Sequence, residues 1–554
     1  MDSRAKELCS ISGNMFSKKS GYDRFCQSVA DVFYPIRSDF TQKFPMGDDF
    51  AGTLSDGYTT LAREQLGNSI DSMLRQGKYF TISTGDEAID KKPKNAAAME
   101  MATRTLASII QHPYSNAEPA VKEMDMDWVA LGGGVMSWEE SSTRQNLITR
   151  TWHPRDCAYA FNEDGRLDVM HRKCKFTARD IHRKFTSKRW NGTESTDIKN
   201  AAEKEPFKEF EIVHIMMPTE EAYGSDGAKM RQIRHPFLSL YLDIAGGNIL
   251  NERGARVFNY IAPRWRTISG FTYPFSPAAM NALPDGRMLQ DMARVIIEQA
   301  EKAVDPPMVG SSEIFTRDIN MYASGFTSVD LPEDARLQDK MTTIESHGGI
   351  SVGMEMKRDV RELIAESFLL NKLYLPNVRE MTAFEAGVRS EEFRRAALPF
   401  FTPIQSQYFS PWLSTAFNMS VNMGIIRAEM FPEELQDRDI NFRFNSPLQE
   451  AEGRKQVIAF QESMQVLAAG SQVDQTIASI FNAKEATADA LRGTGAPMSW
   501  FVTGEERKQR DAADAEKKAL MEQAQALREG ASVAADVSSA TMAAQQAGLV
   551  PAGA

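Results

Sequence analysis

One stretch, Leu283 to Leu373, sets what the rest of the chain is arranged around: two helical patterns with a long irregular insert between them. The first pattern opens after Pro284-Asp285-Gly286, with Asp285 placed to cap it. Met288, Leu289, Met292, Val295, Ile296, Gln299 and Ala303 then recur at the three/four spacing of one buried stripe. Pro306-Pro307 stops this helix. After the insert, His347-Gly348-Gly349 releases a second helix from Ile350 to Leu373, roughly 36 Å long at about 1.5 Å per residue.

The second helix has three faces. Val352, Met356, Val360, Leu363, Ile364 and Leu370 fill one arc, and Glu355, Asp359, Glu362 and Glu366 line up on a second. Lys357, Arg358, Arg361 and Lys372 share the third with Met354 and Phe368. Such a helix suits contact with its own chain on one side, a neighbour on another and water on the last. A solvated helix laced with i,i+4 ion pairs such as Arg358 with Glu362 fits the same wheel.

At 554 residues the chain is too long for one core, so two to four domains are expected. It contains no apolar run long enough to span a membrane, and its first residues carry charges where a signal peptide needs an apolar core. A cytoplasm-like compartment is therefore expected, and the Asn191-Gly192-Thr193 sequon reads as chance. Cys9, Cys26, Cys157 and Cys174 have no C-x-x-C spacing and read as free thiols, not as zinc ligands or a disulfide framework. The net charge of −11 argues against gripping nucleic acid through a general basic surface, and does not exclude a protein that lets DNA slide past, because like charge weakens sticking.

Before residue 120 the periodicity is helical: Phe16 to Tyr34, then Gly57 to Gln76, a short strand at Tyr79–Ile82, and a helix from Ala96 to His112. Trp128-Val129-Ala130-Leu131 runs into Gly132-Gly133-Gly134. With no Gly-Lys-Ser/Thr after it, the triplet reads as a close backbone approach or a bulge between two extended pieces, not a phosphate loop. Extended runs follow at 149–153, 158–161 and 166–176, with an Asp164-Gly165 hairpin turn between the last two. Thr177 caps a short helix, and further extended runs at 211–217, 237–244 and 256–261 complete an expected antiparallel meander. Between Thr382 and Gly424 a long helical pattern is interrupted by Pro399, Pro403 and Pro411, where kinks are expected.

Trp152-His153-Pro154-Arg155-Asp156, the Asp164-Gly165-Arg166-Leu167-Asp168 turn, Arg172 and Phe176-Thr177-Ala178-Arg179-Asp180 together resemble the head-to-tail connector, or portal, proteins of short-tailed, T7-like bacteriophages. The Gly132-Gly133-Gly134 run with Glu139-Glu140, the Asp305-Pro306-Pro307 junction, Met381-Thr382-Ala383-Phe384-Glu385-Ala386, Asn445-Ser446-Pro447-Leu448-Gln449 and Gly495-Ala496-Pro497 extend the likeness over roughly residues 10 to 510. One departure is Leu131-Gly132, where many members carry Phe-Gly.

The resemblance implies a mixed α+β portal fold of wing, stem, clip and crown that assembles as a ring with a central channel. It places the wing at 1–284, stem helices at 285–304 and 348–373 around a clip at 305–347, a tunnel loop at 374–381, a long kinked wing or crown helix at 382–428, the crown at 429–510 and an Ala-rich tail at 511–554. It implies a dodecameric portal vertex through which double-stranded DNA is packaged and ejected. The implied partners are the terminase large subunit, scaffold protein, major capsid protein, tail adaptor or tail tube protein and internal core proteins, with no membrane. Under it Glu355, Asp359, Glu362, Glu366, Lys372 and Arg379 are candidates to line the channel. Lys357, Arg358 and Arg361 are candidates for contacts between subunits, and Phe315, Met321, Tyr322 and Phe326 for clip docking.

No Walker lysine, H-E-x-x-H, G-x-S-x-G or Cys/His ligand cluster appears, so neither catalysis nor a cofactor or metal is expected. Glu139-Glu140 and Glu391-Glu392 are adjacent in sequence and point apart in a regular element, which serves paired acid/base work poorly. Another virion ring protein such as a tail adaptor, and an unrecognised cytoplasmic enzyme, remain the alternatives at this point.

Overall fold

The computed structural model describes residues 3–311 apart from gaps within 44–53, 76–78, 188–191 and 224–233 and a few single positions. It then describes 322–323, 325–329, 341–343, 350–370, 402–436 and 440–444, with little beyond except 459–468. The chain divides into two compact units. The first comprises Met1–Ile82, Ala102–Met430 and Ile440–Ala451, and the second Ser83–Met101, Phe431–Asp439 and Glu452–Ala554.

In the larger unit, helices α1 (Ser3–Phe33) and α2 (Tyr58–Leu74) precede strand β1 (Phe80–Ser83). The short α3 (Glu87–Asp90) and the first part of α4 (Pro93–Gln111) belong to the smaller unit; the chain re-enters the larger one at Ala102, and α5 (Ala117–Leu131) ends the helical portion. Trp128–Leu131 is therefore the last turn of a helix, not an extended run. Gly132 terminates it in the left-handed region (φ 83°), with its amide on the Trp128 carbonyl at 2.9 Å.

Two antiparallel sheets follow. β2 (Val135–Glu140), β3 (Leu147–Trp152) and β9 (Tyr260–Ile261) are ordered β3-β2-β9. β4 (Cys157–Phe161), β5 (Leu167–Thr177), β6 (Glu209–Pro218), β7 (Phe237–Asp243) and β8 (Asn248–Ala255) form the expected meander in sequential order. The Asp164-Gly165 turn joins β4 to β5, with Gly165 at φ 72°. Sequence periodicity missed β8, whose Asn-Glu-Arg-Gly composition is polar for a strand. It assigned 256–261 instead, of which only Tyr260–Ile261 is strand, and that pairs with β2. Thr177 caps α6 (Ala178–Phe185) as expected, its Oγ1 accepting from the Asp180 amide at 3.2 Å. α7 (Thr196–Lys204) lies between β5 and β6, and the short α8 (Thr219–Tyr223) between β6 and β7.

α1 lies on one face of the five-stranded sheet, burying Ala5 and Leu8 against Val213, Ile215, Leu238 and Leu240; α6 and α7 cover another part of the sheet through Ile181, Phe185 and Ile198. A second aromatic core forms where Trp138 packs on Trp412 at 5.1 Å, while Trp128 stacks between Trp265 and Tyr408, each at 5.9 Å. Tyr408 lies in a π-helical turn, Ile404–Phe409, between Pro403 and Pro411, the place where prolines were expected to kink the chain. All four cysteines are free thiols, and burial pushes those of Cys26 and Cys157 up to about 12.

Candidate functional site

Helices α9 (Pro277–Val304) and α10 (Ile350–Ser367) form the antiparallel pair that the opening pattern pointed to. α9 starts eight residues earlier than expected. Its cap is Ser276, whose Oγ accepts from the Ala279 amide at 3.1 Å and donates to the Val129 carbonyl at 2.6 Å, so the helix is fastened to α5 at its first turn. Pro284 lies inside the helix. It cannot donate to the Met280 carbonyl, and both residues lie on the exposed side of the helix.

The glycine triplet has its meaning here. A Cβ on Gly132 would lie 2.1 Å from the Phe275 carbonyl carbon, and one on Gly133 would lie 2.2 Å from the Pro263 carbonyl oxygen. Only glycine admits the segment that delivers the chain to α9. Further along, Gly286 lets α9 approach α1, since a Cβ there would meet Val32 at 2.7 Å, and Gly353 lets α10 approach Ile296 of α9, where a Cβ would lie 3.2 Å away.

The pair is locked by a residue from far away in sequence. The Gln290 side chain accepts from the Ser55 and Asp56 amides at 2.8 and 2.9 Å and donates to the Asp56 carbonyl at 2.7 Å, which fixes the turn before α2. Asp56, with its side chain only 1% exposed, then receives Lys357 Nζ and Arg361 Nη2 of α10, each at 2.7 Å, and the Tyr58 amide at 2.8 Å. Burial alone would raise the Asp56 carboxyl; Lys357, the Tyr58 amide and Arg361 outweigh it and hold the group below its ordinary value. At its end α10 passes into Phe368, fully buried with its ring 5.3 Å from Phe33.

Lys357 and Arg361 thus turn toward their own chain, while Arg358 is exposed. The apolar arc splits: Val360, Ile364 and Leu370 are buried, whereas Val352, Met356 and Leu363 are each at least half exposed. Glu355, Asp359, Glu362 and Glu366 are all exposed beside them, a stripe about 17 Å long at about 1.5 Å per residue. Tyr322 is exposed, and Phe326 stands in a small sheet that periodicity missed, where β10 (Met308–Ser311) lies between β11 (Phe326–Val329) and β12 (Met341–Thr343). Phe315, Met321, Lys372, Arg379, the tunnel loop and most of the crown and tail lie outside the described residues. Asp56 and Gln290 escaped sequence reasoning because no local pattern ties position 56 to position 361.

Among the described residues no helix is long and apolar enough to cross a membrane, and no group of three or more His, Cys, Asp or Glu side chains is placed to hold a metal ion. A family model for the bacteriophage head to tail connecting protein matches residues 5–502. The chain is 25% identical over 469 residues to the probable portal protein of Bordetella phage BPP-1, covering 81% of this chain and 80% of that one. To the portal protein of Salmonella phage epsilon15 it is 23% identical over 323 residues, covering 57% of this chain and just 56% of the relative. Among solved structures, a chain from the virion of a native gene transfer agent particle aligns over 71% of this chain and 88% of its own length, with 11% identity and a TM-score of 0.31, too distant to carry an argument about the fold.

The family match and the two portal-protein relatives define a virion protein of the head-to-tail connector class. The chain belongs to the family of bacteriophage head to tail connecting proteins.

Proposed function

We propose that this protein is the portal of a bacteriophage head: copies of the chain close into a dodecameric ring at one capsid vertex, and double-stranded DNA enters and leaves through its bore. The observation that carries the reading is the connector-family match across residues 5–502. In this reading α9 and α10 are the stem, and the sheet β11-β10-β12 with exposed Tyr322 belongs to the clip, which receives the terminase large subunit during packaging and the tail adaptor afterwards. Scaffold protein, major capsid protein and internal core proteins meet other faces. The ring assembles in the host cytoplasm.

The acidic stripe has two conceivable roles, lining the bore or pairing with cations of the next subunit. Lys357 and Arg361 are already engaged by Asp56 of their own chain, which leaves Arg358 as the exposed cation of that set on α10. Four carboxylates against one such cation favour the bore, where they would repel phosphates and keep DNA from sticking. Val352, Met356 and Leu363 then pack on the adjoining copy, since apolar side chains of that size gain by leaving water. Lys372 and Arg379 would stand at the tunnel loop. Size-exclusion chromatography with negative-stain microscopy of the purified chain tests the proposal: rings with a central hole are expected, and a monomer at all concentrations would contradict it.

A further inference from the structure

β5 is flanked unequally. Its pairing with β4 ends at Arg172 opposite Cys157, whereas its pairing with β6 continues to Thr177 opposite Glu209. Lys173 to Thr177 therefore have a strand neighbour on one side only among the described residues. A cleft of about 360 Å³ runs along the other side, and five consecutive residues of β5, 172 to 176, line it. Alternate side chains of a strand point to opposite faces, so consecutive residues share a cleft only along an open edge.

The edge is strongly basic. Arg150, Arg172, Lys173, Lys175 and Lys184 line it, against the carboxylates of Glu139 and Asp156, in a chain of net charge −11. Asp156 is engaged by Arg155 at 3.0 Å, and Glu139 stands 3.9 Å from Arg172. Arg172 is built in: it is 3% exposed, its Nε donates to the Tyr260 hydroxyl at 2.9 Å, and its guanidinium lies 3.6 Å above the Trp152 ring. Lys175 reaches Glu209 at 3.6 Å and is otherwise open to solvent, and Lys173 lies over Phe16.

We infer that this edge is a docking site for an extended acidic segment of the adjoining copy, which adds a strand beside Lys173–Thr177. The inference rests on the ring proposed above. Ring closure by a head-to-tail interface requires that a surface on one copy meet a different surface on the next. An open strand edge offers backbone donors and acceptors that another strand matches and a phosphate does not need. The lysines decide which strand: they repel a second basic edge and attract an acidic one.

Arg150→Glu with Lys175→Glu is the test, because both side chains are exposed and the fold should survive. Thermal melting of the monomer should be unchanged, and ring yield at fixed concentration should fall by about tenfold or more, since like charges across an interface cost several kcal/mol. Hydrogen exchange should show the edge-facing amides of 173–177 open in the monomer and protected in the wild-type ring. Rings that form normally from the variant overturn the docking and leave the portal reading intact; a wild type that forms no ring overturns both. Edge amides already protected in the monomer, or duplex DNA binding by wild type that the variant loses, would also overturn the inference, by assigning the cleft to the chain's own backbone or to phosphate.

Discussion

Replacing Asp56 by alanine removes a buried anion that ties α10 to the turn before α2. The carboxylate is 1% exposed and serves two cations and an amide. Breaking a fully buried ion pair from one side costs about 3–5 kcal/mol. Here the stranded cations rehydrate in part, since Lys357 is 18% and Arg361 41% exposed, so a loss of about 2–3 kcal/mol is expected. Asp56→Asn keeps an acceptor for the Tyr58 amide and should lose about 1–2 kcal/mol. Adding Lys357→Met to Asp56→Ala should return about 1 kcal/mol, because a half-buried ammonium is no longer left without a counter-charge. Urea unfolding of the monomer reads these as midpoint shifts at constant slope. The folded-state pKa of Asp56 lies below its ordinary 3.8, so its contribution is fully present above that value and disappears as the pH falls below it. An Asp56→Ala midpoint within about 0.5 kcal/mol of wild type, or no recovery with Lys357→Met, would refute the reasoning.

Three further outcomes are expected. Gly132→Ala should give insoluble protein or a loss above about 3 kcal/mol in thermal melts, because the added Cβ meets the Phe275 backbone and φ is positive; near-normal stability would mean that the 263–276 segment can move away. His171 is fully buried, with neither ring nitrogen hydrogen-bonded among the described residues, and burial lowers its pKa from 6.5 to about 4. The unfolded chain protonates first, so stability is complete above pH 6.5 and falls by about 3 kcal/mol as the pH drops to 4; His171→Leu should flatten that slope in urea melts between these limits, and an unchanged slope would exclude the buried imidazole as its source. Replacing Glu355, Asp359, Glu362 and Glu366 together by glutamine should leave ring yield unchanged but slow DNA packaging in an in vitro assay, whereas loss of rings would assign the stripe to subunit contacts.

Helices α9 and α10 were legible because each carries its periodicity within a single segment, and the β4–β5 hairpin because Asp-Gly turns are locally encoded. The start of α9 was not. Pro284-Asp285-Gly286 carries the local signature of a helix start, yet Ser276 caps the helix and the contact of Gly286 with Val32 and Phe33 holds the earlier turns in place, which no local rule anticipates. The wheel of the second helix did not reveal its contacts within the chain: Lys357 and Arg361 meet Asp56, whose position is set by Gln290, and such pairing between distant segments leaves no trace in periodicity. β8 was missed because polar residues at a sheet edge resemble a loop.

Cryo-electron microscopy of the assembled protein bears most directly on the central claim. The account predicts subunits arranged about an axis, with the Glu355–Glu366 stripe of α10 on the wall of an opening that admits duplex DNA. A map in which that helix is packed within a solitary subunit, or stands away from any symmetry axis, would contradict it.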